Sequence, residues 1–132
     1  MYELAVCISP VQFENVVNKI LDDYKADVIE AVGSVVKKTG EYAKKKLQEN
    51  SPKDTGIYAK CWRTGDYEYS ALGGHITVFV MPPFYRLTHL LEFGHLKRGG
   101  KGFVAPKVHI KPVRDETDKL FRASLERVLN NV

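Results

Sequence analysis

Cysteine is scarce in this chain: Cys7 and Cys61 are the only two among 132 residues. Both sit in apolar or aromatic settings without metal-ligand spacing. They are expected as free buried thiols in a reducing compartment rather than as a disulfide or a zinc module. No apolar run approaches eighteen residues, so no membrane-spanning helix is expected. The N-terminus has neither a basic stretch nor a long apolar core, so no signal peptide is expected. Catalytic signatures are missing too. There is no G-x-S-x-G elbow, no P-loop and no dinucleotide-binding glycine fingerprint, and Ser51, Ser70 and Ser124 have no recognisable nucleophile setting. "SPKDTG" resembles the aspartate motif of an acid protease, but that chemistry needs a second carboxylate beside the first. The chain has no second such motif. Repeats and low-complexity tracts are absent. Acids are absent from one window, between Glu92 and Asp115.

What is present is the composition of an ordinary globular domain, 44% hydrophobic and 27% charged. The length fits one domain, residues 1–132. A chain of this size buries roughly two-thirds of its unfolded surface on folding and needs no staples. The net charge of +4 is mildly basic and by itself says little about nucleic acid.

Tyr2, Leu4, Val6 and Ile8 alternate with other residues, which predicts a short first strand. Ser9 can cap a helix and Pro10 suits its first position. A helical segment follows to about Glu49, with apolar residues from Val16 to Leu47 near i, i+3, i+4 steps. As one rod it would be about 60 Å long, against a radius of gyration of about 14 Å for a compact domain of this size. A break into a short helix and a long one is therefore expected around Leu21 to Tyr24, and the long part, still about 40 Å, is expected to project at one end. Acids gather at Asp22, Asp23, Asp27 and Glu30, and lysines from Lys37 to Lys46, an order that favours the helix dipole. Gly33 and Gly40 weaken the helix or admit a close neighbour. The valines Val28, Val32, Val35 and Val36 form a stripe that a small sheet cannot cover, which points to a second copy.

Ser51 leaves the helix because it precedes a proline. Asp54, Thr55 and Gly56 form a turn. Tyr58 to Ser70 and His75 to Met81 read as two strands joined by "ALGG", and Pro82 and Pro83 stop the second. A short helix in "LTHLLEFGH" ends at Gly94, a residue suited to a left-handed cap. "HLKRGGKG" is a glycine-rich basic loop. Pro112 opens a last helix with the apolar stripe Val113, Leu120, Phe121, Leu125 and Val128. The fold class is α+β: a long N-terminal helix and a C-terminal helix packed on a small antiparallel β-sheet, with a flexible basic loop.

Two constellations carry chemistry worth weighing. His89, Glu92 and His95 offer two imidazoles and a carboxylate, the donor set of a small metal-dependent enzyme. Zinc helices, however, place their histidines at i, i+4, and His95 lies beyond Gly94. His75 and His109 could join, but nothing in the sequence fixes their distance. In the structural reading, Glu92 and the histidines hydrogen-bond around the base of a loop. The basic window holds Lys97, Arg98, Lys101, Lys107, Lys111 and Arg114. Either it is a solvated loop, or it faces a polyanion as a non-specific nucleic-acid-binding module with salt-dependent phosphate contacts. Phe103 and Tyr85 lie nearby, but no base-stacking module accompanies them.

Three stretches in order resemble a family of tailed-bacteriophage structural proteins, variously called neck, head–tail joining, tail-completion or minor tail proteins. They are Ser51 to Gly56, Leu91 to His95, and His109 to Pro112. They are similar to the family's Ser/Ala-Pro-x-Asp-Thr-Gly, Leu-Glu-Phe/His-Gly-His/Thr and Pro/His/Ile-Pro pieces. The resemblance covers most of the chain from about Ala31 onward. The first thirty residues depart from it, and "FVAPKVH" lacks the family's Gly-Lys/Arg-Pro-His wording. The resemblance implies a virion building block made in the host cytoplasm, without enzymatic activity, cofactor or metal. It implies a subunit of a homo-oligomeric ring at the head–tail junction. Its neighbours would be head-completion or connector proteins and tail-tube or tail-terminator proteins, with genomic DNA in the channel. On this reading Asp54 and Gly56 shape the turn, and Leu90, Leu91 and Phe93 pack the short helix onto the sheet and the long helix. Glu92 and Gly94 set the start of the basic loop, whose Lys97, Arg98 and Lys101 make the contacts; Glu92 is either partly exposed or a buried partner of a histidine or a backbone turn.

Overall fold

The computed structural model describes residues 9–70 and 73–131. The expected first strand, Tyr2 to Ile8, lies outside the described residues, as do Ala71 and Leu72 at the "ALGG" turn.

Helix α1 runs unbroken over Pro10–Asn50. Its start is a capping box. The Gln12 N–H donates to the Ser9 hydroxyl at 3.2 Å, and the Ser9 N–H donates to the Gln12 side chain at 2.9 Å. Pro10 fills the first helical position. At the far end Ser51 is extended, with φ −65° and ψ 145°, as a residue before proline prefers.

The break expected around Leu21 to Tyr24 does not occur. The expected projection of one end accommodates the whole rod, so no break is needed. The second half of α1 packs, burying Gly33, Val35, Thr39, Gly40, Ala43 and Leu47. The first half projects, leaving Phe13, Val16, Ile20, Leu21 and Tyr24 exposed. Continuity also removes the dipole benefit read from the charges. No acid lies in the first turn and no base in the last, and the dipole's effect fades within one turn.

A second helix, α2 (Ile57–Lys60), takes the first residues of the expected strand from Tyr58. Gly56, at φ 81°, turns the chain into it, and Tyr58 and Ala59 are buried together. The hairpin that follows contains β1 (Trp62–Thr64), β2 (Glu68–Ser70), β3 (Gly73–His75) and β4 (Val78–Val80). It forms two antiparallel ladders rather than one. Trp62 pairs with Val80, and Glu68 pairs with His75. Between them the Gly65 N–H still donates to the Thr77 carbonyl at 2.8 Å. Gly40 explains why this hairpin can lie against α1: a Cβ there would stand 2.7 Å from Ile76 Cγ2.

After β4 come a 3-10 turn (Phe84–Leu87), α3 (Thr88–Phe93), a hairpin of β5 (His95–Leu96) and β6 (Phe103–Val104), and α4 (Ile110–Asn130). The basic "HLKRGGKG" segment is thus the tip of a hairpin, closed by the Lys97 N–H donating to Gly102 O at 2.8 Å. Helix α4 starts two residues before Pro112 and runs back along α1. Val113 shares the core with Leu47, and the Tyr42 hydroxyl bonds Glu116 one turn further along. This packing changes the reading of the valine stripe. Val35 is buried and Val28, Val32 and Val36 are half-buried, so the uncovered stripe lies earlier, on the projecting half.

The central core is Leu47, Tyr58, Trp62, Val80 and Val113, with Cys61, Phe84, Leu91 and Ile110 against it. Cys61 is a free thiol and half-buried. Truncating a buried leucine costs about 2–5 kcal/mol. Leu47→Ala is expected to lower stability within that range in urea denaturation. Ile20→Ala, on the projecting half, is expected to change it by less than about 0.5 kcal/mol.

Candidate functional site

The three motif stretches, distant in sequence, converge beside the core. Glu92 is the centre. It lies on α3 and is 6% exposed, the buried partner of a histidine and a backbone turn rather than a partly exposed residue. Its Oε2 accepts from the His109 N–H at 2.9 Å and the Ile110 N–H at 3.0 Å, and its Oε1 accepts from the Lys111 N–H at 2.9 Å. These are the first N–H groups of α4, whose N-cap residue His109 makes no side-chain cap of its own. A carboxylate from a distant helix therefore supplies the cap that Ser, Thr, Asp or Asn usually provides locally. Burial alone would raise the Glu92 pKa, but the N–H donors of His109, Ile110 and Lys111 outweigh it. The net result holds the carboxyl below its ordinary value of 4.5.

His109, 2% exposed, extends the network. Its Nδ1 faces the Lys107 carbonyl at 2.8 Å and Glu92 Oε2 at 3.2 Å, and its Nε2 lies 2.9 Å from the Tyr58 hydroxyl. The tautomer that satisfies all three carries its proton on Nδ1 and accepts from Tyr58 at Nε2. Burial raises the Tyr58 pKa, a hydrogen bond with Thr88 opposes this, and the charge on Glu92 adds to the rise. The phenol therefore stays protonated and able to donate. Trp62 completes the cluster. Its Nε1 donates to Ser51 Oγ at 2.7 Å, and Ser51 in turn donates to the Leu47 carbonyl. The rings of Tyr58, Trp62 and His109 meet edge to face, with centroids 5.6–6.4 Å apart.

This arrangement holds elements together. Both Glu92 oxygens and both His109 nitrogens have partners within the fold. His89 is exposed on α3. His95 is half-buried in β5, with its Nδ1 buried and unpartnered. His75 pairs with Glu68 across the β2–β3 ladder at 3.2 Å. Among the described residues no three of His, Cys, Asp and Glu lie close enough to hold a metal ion. The fold therefore does not assemble the metal constellation weighed for His89, Glu92 and His95.

The other motif residues separate. Leu91 packs against the core. Phe93, expected to pack beside it, is 75% exposed, because the turn of α3 that directs Leu91 and Glu92 inward directs Phe93 outward. Gly94 ends the helix at φ 74° and ψ 175°, a positive-φ extended conformation rather than a left-handed helical cap. A Cβ there would also stand 2.6 Å from Val104 O and 2.7 Å from the Phe103 ring. Gly56 turns the chain as expected. Asp54 is exposed and lines a surface groove with Tyr58, Leu91 and Lys107. Lys97, Arg98 and Lys101 are exposed on the β5–β6 hairpin, and among the described residues none has an ion pair. Of the histidines expected around Glu92, His109 alone joins it among the described residues; sequence reasoning missed Tyr58 as a buried partner and the backbone cap that Glu92 makes. A usable signal existed: the last helix opens with "HIKP" and lacks a local cap, and Glu92 is the nearest acid before it.

Two outcomes follow. Glu92→Gln puts an amide donor against backbone donors and is expected to cost about 1.5–3 kcal/mol. The lowered Glu92 pKa means its stabilisation is complete above about pH 4.5 and disappears as pH falls through the folded pKa. The Gln variant should lose that acid-side slope, as urea midpoints measured from pH 3 to 7 would reveal. Leu91→Ala should lower the melting temperature, as expected for a core leucine. Phe93→Ala should leave it nearly unchanged, which thermal denaturation of the pair checks.

No curated protein and no solved structure matches the chain. A family described as "Bacteriophage HK97-gp10, putative tail-component" matches residues 15–94. The match begins within α1, earlier than the resemblance from Ala31 onward, and ends at Gly94. It includes Ser51 to Gly56 and Glu92 and leaves out α4 with His109. By this match over more than half of its length, the chain belongs to the HK97 gp10-like family of bacteriophage tail components.

Proposed function

We propose that this protein is a structural, non-catalytic subunit of the virion of a tailed phage or prophage. In this reading, copies of it form a ring at the head–tail junction and join the DNA-filled head to the tail. The observation that carries the reading is membership of the tail-component family over residues 15–94. The geometry agrees with a building role. Glu92 of the second motif binds the start of the third, Ser51 of the first binds Trp62 and the Leu47 carbonyl, and the exposed features are a projecting apolar helix and a basic hairpin. No described helix is long and apolar enough to cross a membrane. The direct neighbours would be a head-completion or connector protein on one side and a tail-tube or tail-terminator protein on the other.

Within this reading the β5–β6 hairpin is a docking element. Lys97, Arg98 and Lys101 sit beside Leu96 and Phe103, which face each other across the ladder and are 69% and 56% exposed. Cations next to exposed apolar side chains suit a protein surface better than a DNA channel. Interface cores favour aromatic and apolar contacts, whereas sliding DNA gains little from tight phosphate binding. The target is therefore an acidic, partly apolar face of the adjoining ring.

Replacing Lys97, Arg98 and Lys101 together with Ala should leave the melting temperature unchanged. The same change should cause unjoined heads and tails to accumulate, counted by electron microscopy of lysates. Normal infectious particles from the triple variant would reduce the hairpin to a solvated tether. A wild-type protein that binds DNA with steep salt dependence, lost in the triple variant, would favour the channel instead.

A further inference from the structure

We propose that the projecting first half of α1, from Pro10 to about Asp27, is a docking arm. Its apolar face seats in the groove between α1 and α4 of a second copy of this chain. The inference deepens the ring reading by naming the surfaces that would join one subunit to the next.

The arm is the first observation. Phe13 and Ile20 are 62% and 60% exposed, and Val16, Leu21 and Tyr24 lie with them on the uncovered part of the helix. Isolated exposed apolar residues are ordinary, but a run of them at helical steps along one projecting segment is not. The groove is the second observation. It has a volume of roughly 540 Å³ and is lined by Val36, Ala43, Ile76, Ile110, Val113 and Phe121, among others, with Arg114 and Asp118 in its wall.

The arm cannot reach its own groove. Both lie on one continuous helix, Pro10–Asn50, and the groove runs beside the second half of that rod. Folding the arm back would require breaking α1, so the occupant comes from another molecule.

Charge selects a second copy. Residues 10–27 carry Glu14, Asp22, Asp23 and Asp27 against Lys19 and Lys25, a net charge of −2. Residues 28–132 carry eighteen Lys and Arg against eleven Asp and Glu, a net charge of +7. An acidic arm and a basic body attract between copies, whereas two arms side by side repel. The contact is head-to-tail, each subunit giving an arm and receiving one, a geometry that makes a ring when the rotation between copies closes.

Size fits assembly on demand. A stripe about 27 Å long and about 10 Å wide buries roughly a few hundred Å² per partner, below the roughly 800 Å² of a standard interface. One such joint is weak, and a subunit in a closed ring makes two.

The test uses the purified full-length protein at high concentration, with a photo-crosslinking residue in place of Tyr24. After irradiation, dimers should form whose crosslinks map to residues 36–47 or 110–121 of the second copy. Raising salt should lower their yield. Ile20→Glu, at an exposed position that leaves the monomer's melting unchanged, should lower the yield by at least about tenfold, because it places a charge in an apolar groove. Absence of dimers, or crosslinks that map arm to arm, would overturn the docking. The two readings separate cleanly. Arm-to-groove crosslinks from a protein missing from the virion would sink the head–tail reading alone. A ring seen in virions formed by copies that do not crosslink this way would sink the docking alone.

Discussion

The start of α4 depends on a single carboxylate. Backbone N–H groups at a helix N-terminus have no intrahelical acceptor, and His109 offers none from its side chain. Glu92 reaches in from α3 and takes the N–H groups of His109, Ile110 and Lys111. A buried charge is costly unless it is fully hydrogen-bonded, and here each side meets the other's need. The carboxylate gains donors in a dry site, and the helix gains an anion at its positive end. Because α4 packs along α1, this contact also fixes where the C-terminal helix lies against the long one.

The remaining buried polar groups follow from that placement. Once Glu92 holds the His109 backbone, the imidazole is set between the Lys107 carbonyl and the Tyr58 hydroxyl. Tyr58 and Trp62 then stack edge to face around it, and Trp62 ties to Ser51 at the end of α1. What looked from its residue types like acid–base or metal chemistry is a set of mutual hydrogen bonds. Its work is to join the end of α1, the hairpin, α3 and the start of α4 at one point.

Fixing the body in this way leaves two features outside it. Half of α1 extends beyond the packed elements, and the β5–β6 hairpin presents cations beside exposed apolar residues. A tail component that acts by assembly needs a rigid body and surfaces its own fold does not satisfy. In our reading the arm and the hairpin are those surfaces, one toward an identical copy and one toward an adjoining ring.

Local rules determined much of this chain. The Ser9–Pro10 start and the Ser51–Pro52 end of α1 follow from capping and from the restriction before proline. The turn at Gly56, the hairpin between Trp62 and Val80, and the existence of α3 and α4 follow from turn chemistry and periodicity. The order of the three motifs pointed to the phage family. Three other features were decided by tertiary structure, because each depends on what lies across space. Whether α1 bends or projects depends on what covers each half, and α4 covers only the second. Whether Phe93 or Glu92 turns inward depends on which face of a one-and-a-half-turn helix meets the core, and a segment that short has no decisive periodicity. Whether Glu92 is a ligand or a cap depends on His109, Ile110 and Lys111 arriving seventeen to nineteen residues later, a meeting of unmatched donors with a distant acceptor that no local pattern encodes.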